Sequence, residues 1–253
     1  MNWIVITTED EVSEDSIVIK GIRSEHIQTI LKKSVGDSLK VILPGQKKGL
    51  FEIISIEVDS VTVTERICEN EYPLLPIHLT QVYFAMPRPQ TGKKILFLSG
   101  VYGLGKINFI YWNQKNKQYL TSPLYNGKEL QDILDGMSQS GNPIPSQVSY
   151  STSQSNYLKQ TKDKLCYVFD PSGRSFLGEE STIKENWQNG FYPNFLFGPE
   201  SGFTLSELDV LRESGHQIVS LGNVILRTEH AFHGFLYQMN VWLEADPTGN
   251  KKP

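Results

Sequence analysis

The chain changes pattern once, between residues 68 and 79, and this constrains the fold more than any other feature. Before it, short runs rich in Val and Ile occur at WIVI (3–6), SIVIKG (16–21), DSLKVIL (37–43), GLFEIISI (49–56) and VTVTERI (61–67). Turn signals such as LPGQKKG separate them, as in a small β-barrel. One helix interrupts the run, with Ser24 at its N-cap, His26, Ile27, Ile30 and Leu31 at helical spacing, and Gly36 beyond its end. After Leu79, strands alternate with helices. TQVYFAM (80–86), INFIYW (107–112), KLCYVFD (164–170), PNFLFG (193–198) and HQIVSLG (216–222) are apolar runs of the kind buried on both faces. The polar, then proline-rich stretch CENEYPLLPIHL between the two patterns marks a domain boundary. Two domains are therefore expected, 1–72 and 73–249. The Ser/Gln/Asn-rich segment GNPIPSQVSYSTSQSNYLKQ reads as an irregular surface connection.

With 253 residues, 39% of them hydrophobic, the chain can bury a sizeable core. No apolar run approaches the roughly 18 residues of a membrane span. The acidic start MNWIVITTEDEVSEDS is unlike a secretion signal, so a cytoplasmic location without a membrane partner is expected. Cys68 and Cys166 are isolated, which suggests small buried hydrophobes rather than a disulfide framework or a metal pair.

The net charge of −4 is the wrong sign for a generic nucleic-acid coat, but its distribution is uneven. Residues 1–19 carry five acids and no base, whereas 20–48 carry Lys20, Arg23, Lys32, Lys33, Lys40, Lys47 and Lys48 against Glu25 and Asp37. A second window, 86–118, holds Arg88, Lys93, Lys94, Lys106, Lys115 and Lys117 with no acid. Either could be an ordinary solvated face, or a patch that meets phosphate.

Two motifs mislead. GVYGLGKI (100–107) has the G-x-x-x-x-G-K spacing of a phosphate loop, yet Ile107 stands where the magnesium-binding hydroxyl belongs. The β-branched and aromatic run INFIYW follows where a helix should open, so Leu104-Gly105-Lys106 reads as a helix stop leading into a strand. A P-loop NTPase is a further alternative on this spacing alone. His230 and His233 have chelating i, i+3 spacing but no partner ligands at a recognisable spacing, so no metal site is expected.

The chemistry concentrates in FLFGPESGFTLSELDVLRESG (195–215) and IVSLGNVILRTEHAFHGFL (218–236). Each is an apolar strand, a glycine turn and a helix. The first helix has a capping box at Thr204 and Glu207; the second aligns Phe232, Phe235, Leu236, Met239 and Leu243 on one face. Two such loops side by side make a crevice for a cofactor. Ordinary turns would explain the glycines and Pro199 but not Glu200, Arg227, Thr228 and Glu229 at loop positions.

At these residues the chain resembles the small-subunit ribosomal RNA (uracil-N3) methyltransferases of the SPOUT superfamily. Gly198-Pro199-Glu200-Ser201-Gly202-Phe203-Thr204 with Glu207 is similar to the family's G-P-E-G-G-[FL]-[ST]-x-x-E. Leu221-Gly222-Asn223-Val224-Ile225-Leu226-Arg227-Thr228-Glu229-His230-Ala231 is similar to its L-G-x-x-I-L-R-x-E-T-A. Near the N-terminus, His26, Ile30-Leu31 and Gly36-Asp37 fit H-x-x-x-V-L-R-x-x-x-G-D, with Lys32 in place of the arginine. In the middle, Arg88 stands for a family lysine, Gly103-Leu104-Gly105-Lys106 for a Glu-Leu-Gly-Val turn, and Asn142 for the arginine that ends E-A-x-x-Q-S-x-R.

The resemblance implies an α+β two-domain protein: an N-terminal PUA-like β-barrel that docks RNA, then an α/β trefoil-knot (SPOUT) methyltransferase domain. It implies S-adenosylmethionine as cofactor, held by Leu196, Phe197, Gly198, Pro199, Glu200, Gly202, Leu221, Gly222, Ile225, Leu226, Arg227 and Thr228. RNA contacts are expected from Arg23, His26, Lys32, Lys33, Lys47, Lys48 and Arg88. The implied substrate is a uridine N3 of small-subunit (16S) ribosomal RNA, taken as RNA or as the assembled subunit. Arg227 is the candidate for stabilising charge on the uracil, and Glu200 or Glu229 for accepting the proton or orienting a loop. A homodimer through the aromatic stripe of the last helix is also implied. A catalytically silent RNA-binding relative that keeps the pocket is the alternative.

Overall fold

The structure, a computed structural model, describes residues 3–69, 74–112, 119, 121–151 and 153–244. The expected domain limits at 72/73 and 249, and the bases Lys115 and Lys117, lie outside these residues.

The N-terminal residues form a six-stranded sheet of β1 (Ile4–Val5), β2 (Glu11–Val12), β3 (Ile17–Lys20), β4 (Ser38–Leu43), β5 (Lys47–Ile56) and β6 (Ser60–Glu69). Its order is β1-β4-β5-β6-β3-β2, with β1 parallel to β4 and every other pair antiparallel. Among the described residues β1 and β2 each pair with one strand only, so the expected barrel is a half-barrel. Ile17, Ile19, Val41, Phe51, Ile53, Val61 and Val63 fill its concave side, with Ile27 packed over them. The helix begins earlier than expected. Lys20 is the N-cap of α1 (Gly21–Glu25) and Ser24 is buried inside it, because Gly21 at φ +61 lets the strand turn directly into the helix. A wider π turn continues over His26–Ile30.

The second sheet is parallel throughout: β7 (Gln81–Ala85), β8 (Lys106–Ile110), β9 (Gln147–Ser151), β10 (Cys166–Ser175), β11 (Asn194–Phe197) and β12 (Gln217–Ser220), in the order β12-β10-β11-β7-β8-β9. Strand side chains alternate between two cores, as a pleated sheet buried on both faces requires. Phe84, Phe109, Phe195 and Phe197 face a core closed by Ile77 of the short α2 (Pro76–Leu79) and by α3 (Pro89–Tyr102), α4 (Glu129–Ser140), α6 (Glu180–Gln188) and α8 (Thr228–Glu244). Tyr83, Ile110, Val168 and Leu196 face the opposite core, which receives Tyr157 from α5 (Gln154–Thr161) and Leu211 from α7 (Leu205–Glu213).

Several expectations need correction. β9 and α5 lie inside the segment read as irregular; β9 is the sheet's edge strand, so half its residues can be polar. The helix stop read at Leu104-Gly105-Lys106 holds: GVYGLGKI closes α3 with Gly103 at φ +68 and enters β8 at Lys106, so no helix opens on it and the NTPase alternative fails. Phe232, Phe235, Leu236 and Met239 are wholly buried in this chain's own core, so the stripe is not a dimer face. Asn142 latches α3 to the chain after α4: its amide donates to the carbonyls of Gly100 (2.9 Å) and Ile144 (2.7 Å), and its Oδ1 accepts from the Ile144 amide (3.1 Å).

The two sheets meet along β1, β4 and α4. Val5 and Ile42 turn away from the half-barrel into the core of the second sheet. The Trp3 amide donates to the Ser138 carbonyl at 2.8 Å, and the Ser138 hydroxyl returns a bond to the Trp3 carbonyl at 2.6 Å. Lys40 and Lys48 lie 5.5 and 5.6 Å from the Trp3 ring centroid, each a cation over an aromatic face.

Candidate cofactor cleft

At the C-terminal ends of β11 and β12, beside Phe169, Asp170 and Pro171 of β10, the chain opens a cleft of about 400 Å³, close to the edge at which parallel α/β sheets bind ligands. Its floor is Phe197, stacked between Phe84 (centroids 5.1 Å) and Phe169 (4.5 Å) and therefore rigid. One wall is the turn from Gly198 to Phe203, which ends in the Thr204/Glu207 capping box of α7. A Cβ at Gly198 would lie 2.5 Å from the Phe203 ring, so only glycine fits beneath that ring.

The facing wall runs from Ser220 to Glu229. The Ser220 hydroxyl donates to the Gly222 carbonyl (2.9 Å), and the Gly222 amide donates back to it (3.2 Å). Val224, Ile225 and Leu226 are 72%, 85% and 42% exposed. Large apolar side chains so open on a cleft wall suit a flat apolar ligand such as a purine ring. Arg227 directly precedes α8, and its carbonyl accepts the amides of His230 and Ala231 at 2.9 Å. Its guanidinium is exposed and makes no hydrogen bond or ion pair among the described residues.

The third side is the first turn of α3, where Arg88 and Thr91 both bond the Glu200 carboxylate, Thr91 at 3.0 Å. One turn on, Lys94 donates to Glu229 at 3.0 Å. Burial alone would raise the Glu229 pKa, but the Lys94 bond, its own backbone amide and the nearby charges of Lys94 and His230 outweigh it. Glu229 is thus held below the usual carboxylate range and stays ionised.

The cleft gathers Phe197, Gly198, Pro199, Glu200, Gly202, Leu221, Gly222, Ile225, Leu226, Arg227, Thr228 and Glu229 as the sequence suggested, and Arg88 joins them. Leu196 does not. One residue before Phe197 on the strand, it points to the opposite face and is fully buried with Val168 and Leu211. Thr91, Lys94 and Asp170 line the cleft without having been anticipated. Pro89 after Arg88, a proline at a first helical position, was the available signal for the α3 turn. Asp170 lies within β10, and its signal was an aspartate after the four apolar residues of CYVFD.

The other basic candidates do not line the cleft, and several are already engaged. Arg23 bonds Asp10 at 2.9 Å, Lys47 pairs with Glu65, and Lys48 donates to the Gly141 carbonyl at 3.2 Å. Lys20 pairs with Glu11, so the acidic and basic N-terminal segments partly neutralise each other. Lys32 is exposed, and Lys33 and His26 are half-buried. His230 and His233 are both exposed on α8. No described helix is long and apolar enough to cross a membrane.

A family of RNA methyltransferase domains matches residues 71–239. The chain belongs to that family. Over 235 residues, 90% of this chain and 86% of the relative, the methyltransferase chain is 25% identical to ribosomal RNA small subunit methyltransferase E of Treponema pallidum. Its fold is similar to that of a ribosomal RNA small subunit methyltransferase E from Neisseria gonorrhoeae bound to S-adenosylmethionine, at TM-score 0.70 and 16% identity over 95% and 97% of the two chains. It is equally similar to a methyltransferase from Legionella pneumophila with the same cofactor, at TM-score 0.71 and 16% identity over 95% and 98%.

Proposed function

We propose that this protein transfers the methyl group of S-adenosylmethionine to N3 of a uridine in small-subunit ribosomal RNA, acting on the assembled subunit and so in the cytoplasm. The observation that carries the reading is a cleft between the two glycine turns, with an aromatic floor and charged walls, that holds an arginine without a polar partner among the described residues, in a chain of the RNA methyltransferase family. The 25% identity to a ribosomal RNA small subunit methyltransferase E supports the choice of RNA. A knotted chain is part of the proposal. Supporting it, β10 meets Val219 of β12 twice, at Phe169 and again at Arg174, and the residues between loop closely past it, so that a Cβ at Gly173 would sit 2.5 Å from the Val219 amide. The proposal includes a homodimer, for which the exposed side of α8 with Tyr237 is open.

When bound, the cofactor supplies a methyl group on a sulfonium, open to in-line displacement by a ring nitrogen. Phe197, Ile225 and Leu226 would cover its adenine, with the backbone of the two turns giving specificity. Holding nitrogen and methyl in contact lowers most of the barrier. As N3 loses its proton, negative charge spreads to the two ring carbonyls, and the Arg227 guanidinium, without a polar partner among the described residues, is placed to donate to one of them while N3 stays open to the methyl. Glu200 and Glu229 already hold Arg88, Thr91 and Lys94, which fits orienting the walls better than accepting a proton. The proton leaves through solvent at the open mouth.

The test incubates small ribosomal subunits with the protein and labelled S-adenosylmethionine, then digests the RNA to nucleosides. N3-methyluridine is expected. Label in any other nucleoside overturns the base assignment, and no calorimetric binding of S-adenosylmethionine or S-adenosylhomocysteine overturns the cofactor.

A further inference from the structure

Glu200 sits at the crest of the cleft's first wall, and its carboxylate is tied across the cleft mouth at two points. Arg88 bonds one oxygen and the Thr91 hydroxyl the other at 3.0 Å, from positions 112 and 109 residues earlier in the chain. Both partners stand at the start of α3, Arg88 as its N-cap and Thr91 in its first turn, and that start is set by Pro89, whose fixed φ suits the position. At the rear the same loop is held by different contacts. Phe203 lies over Gly198 and meets Trp112 edge-to-face at 5.3 Å. The Trp112 indole donates to buried Glu207 at 3.0 Å, and Glu207 caps α7 through the Thr204 amide at 2.7 Å. The loop from Gly198 to Phe203 is thus fixed at the back by a buried aromatic and capping unit, and at the front by one carboxylate.

Arg88 lies in an acid-free, basic stretch of sequence, which suggests a contact to RNA phosphate. The geometry points elsewhere. We infer that Arg88 and Thr91 are positioning residues that hold the Glu200 loop in its cofactor-binding shape, rather than RNA contacts, and that Glu200 serves as the fastener and not as the base. The inference rests on the proposed cofactor. A loop held ready before binding loses no ordering entropy on binding, so the clamp acts mainly on affinity for the cofactor. Its contribution to global stability is small, since the Arg88 side chain is 67% exposed and such pairs are weak.

The experiment compares Arg88→Glu, Glu200→Arg and the double exchange, with Arg88→Ala and Thr91→Val as milder variants. Readouts are S-adenosylhomocysteine affinity by calorimetry and amide hydrogen exchange over 198–203 in the ligand-free protein. Each charge reversal should weaken affinity about tenfold and speed exchange in that loop, and the exchanged pair should recover most of both. Thr91→Val should act in the same direction, about threefold. Unchanged affinity and exchange in Arg88→Glu and Arg88→Ala, with weaker RNA binding instead, would overturn the clamp and restore the phosphate contact. So would a double exchange no better than Glu200→Arg alone. If the wild-type protein binds no S-adenosyl ligand, the cofactor reading fails while the exchange measurement still decides the clamp.

Discussion

Replacing Arg227 with alanine separates catalysis from packing more cleanly than any other change. The guanidinium is exposed and makes no ion pair or hydrogen bond among the described residues, so its removal breaks no polar contact there. Surface substitutions of this kind stay within about 0.5 kcal/mol, which for a protein of this size is roughly 2 °C of melting temperature or less. Cofactor affinity should also hold within a few-fold, because the aromatic floor and the glycine turns stay in place. Turnover should behave differently. Removing a donor that meets charge developing only in the transition state typically lowers rate by about 100-fold or more, or roughly 2.7 kcal/mol. Arg227→Lys should recover part of the rate, since an ammonium keeps the charge but lacks the planar donor fork of a guanidinium. Melting temperature, S-adenosylhomocysteine affinity and methyl transfer to small subunits should be measured on one preparation of each variant. Full activity in Arg227→Ala, or a loss matched by weaker cofactor binding, would refute the reasoning.

Gly136→Ala should destabilise the protein by about 1–3 kcal/mol, because a Cβ there would lie 2.1 Å from the Phe97 carbonyl and must part α3 from α4; a thermal melt unchanged from wild type would contradict this. Burial holds His78 and His216 below the ordinary histidine pKa, and the His78 ring also accepts the Leu75 amide at 3.0 Å. The folded chain therefore binds fewer protons than the unfolded one below about pH 6.5, and stability present above that pH is lost as the pH falls through the folded values. Urea midpoints at pH 7.5 and 5.5 should show the fall, and His216→Gln should reduce it. Lys32→Glu with Lys33→Glu should flatten the salt dependence of RNA binding by between one and two units in log–log slope. Lys47→Glu should instead act through its lost pairing with Glu65, lowering stability more than the slope.

Much of this was legible in the chain because it is written locally. Apolar runs long enough to be buried announced β7, β8, β10, β11 and β12, and Thr204 with Glu207 announced the start of α7 through bonds that span three residues. The two glycine turns and Arg227 could be assigned to one cleft because each strand-to-helix turn of a parallel sheet opens on the same edge. What failed depended on partners distant in sequence. β9 is polar and extends only because β8 offers it an edge. Leu196 belongs by its motif to the cofactor turn, but the two-residue period of β11 sends it to the other core. Arg88 looked like a free cation until the fold set Glu200 against it from 112 residues away. Local propensity and motif decide which elements form; the pairing of a charge, and the face on which a side chain lies, are decided only when those elements pack.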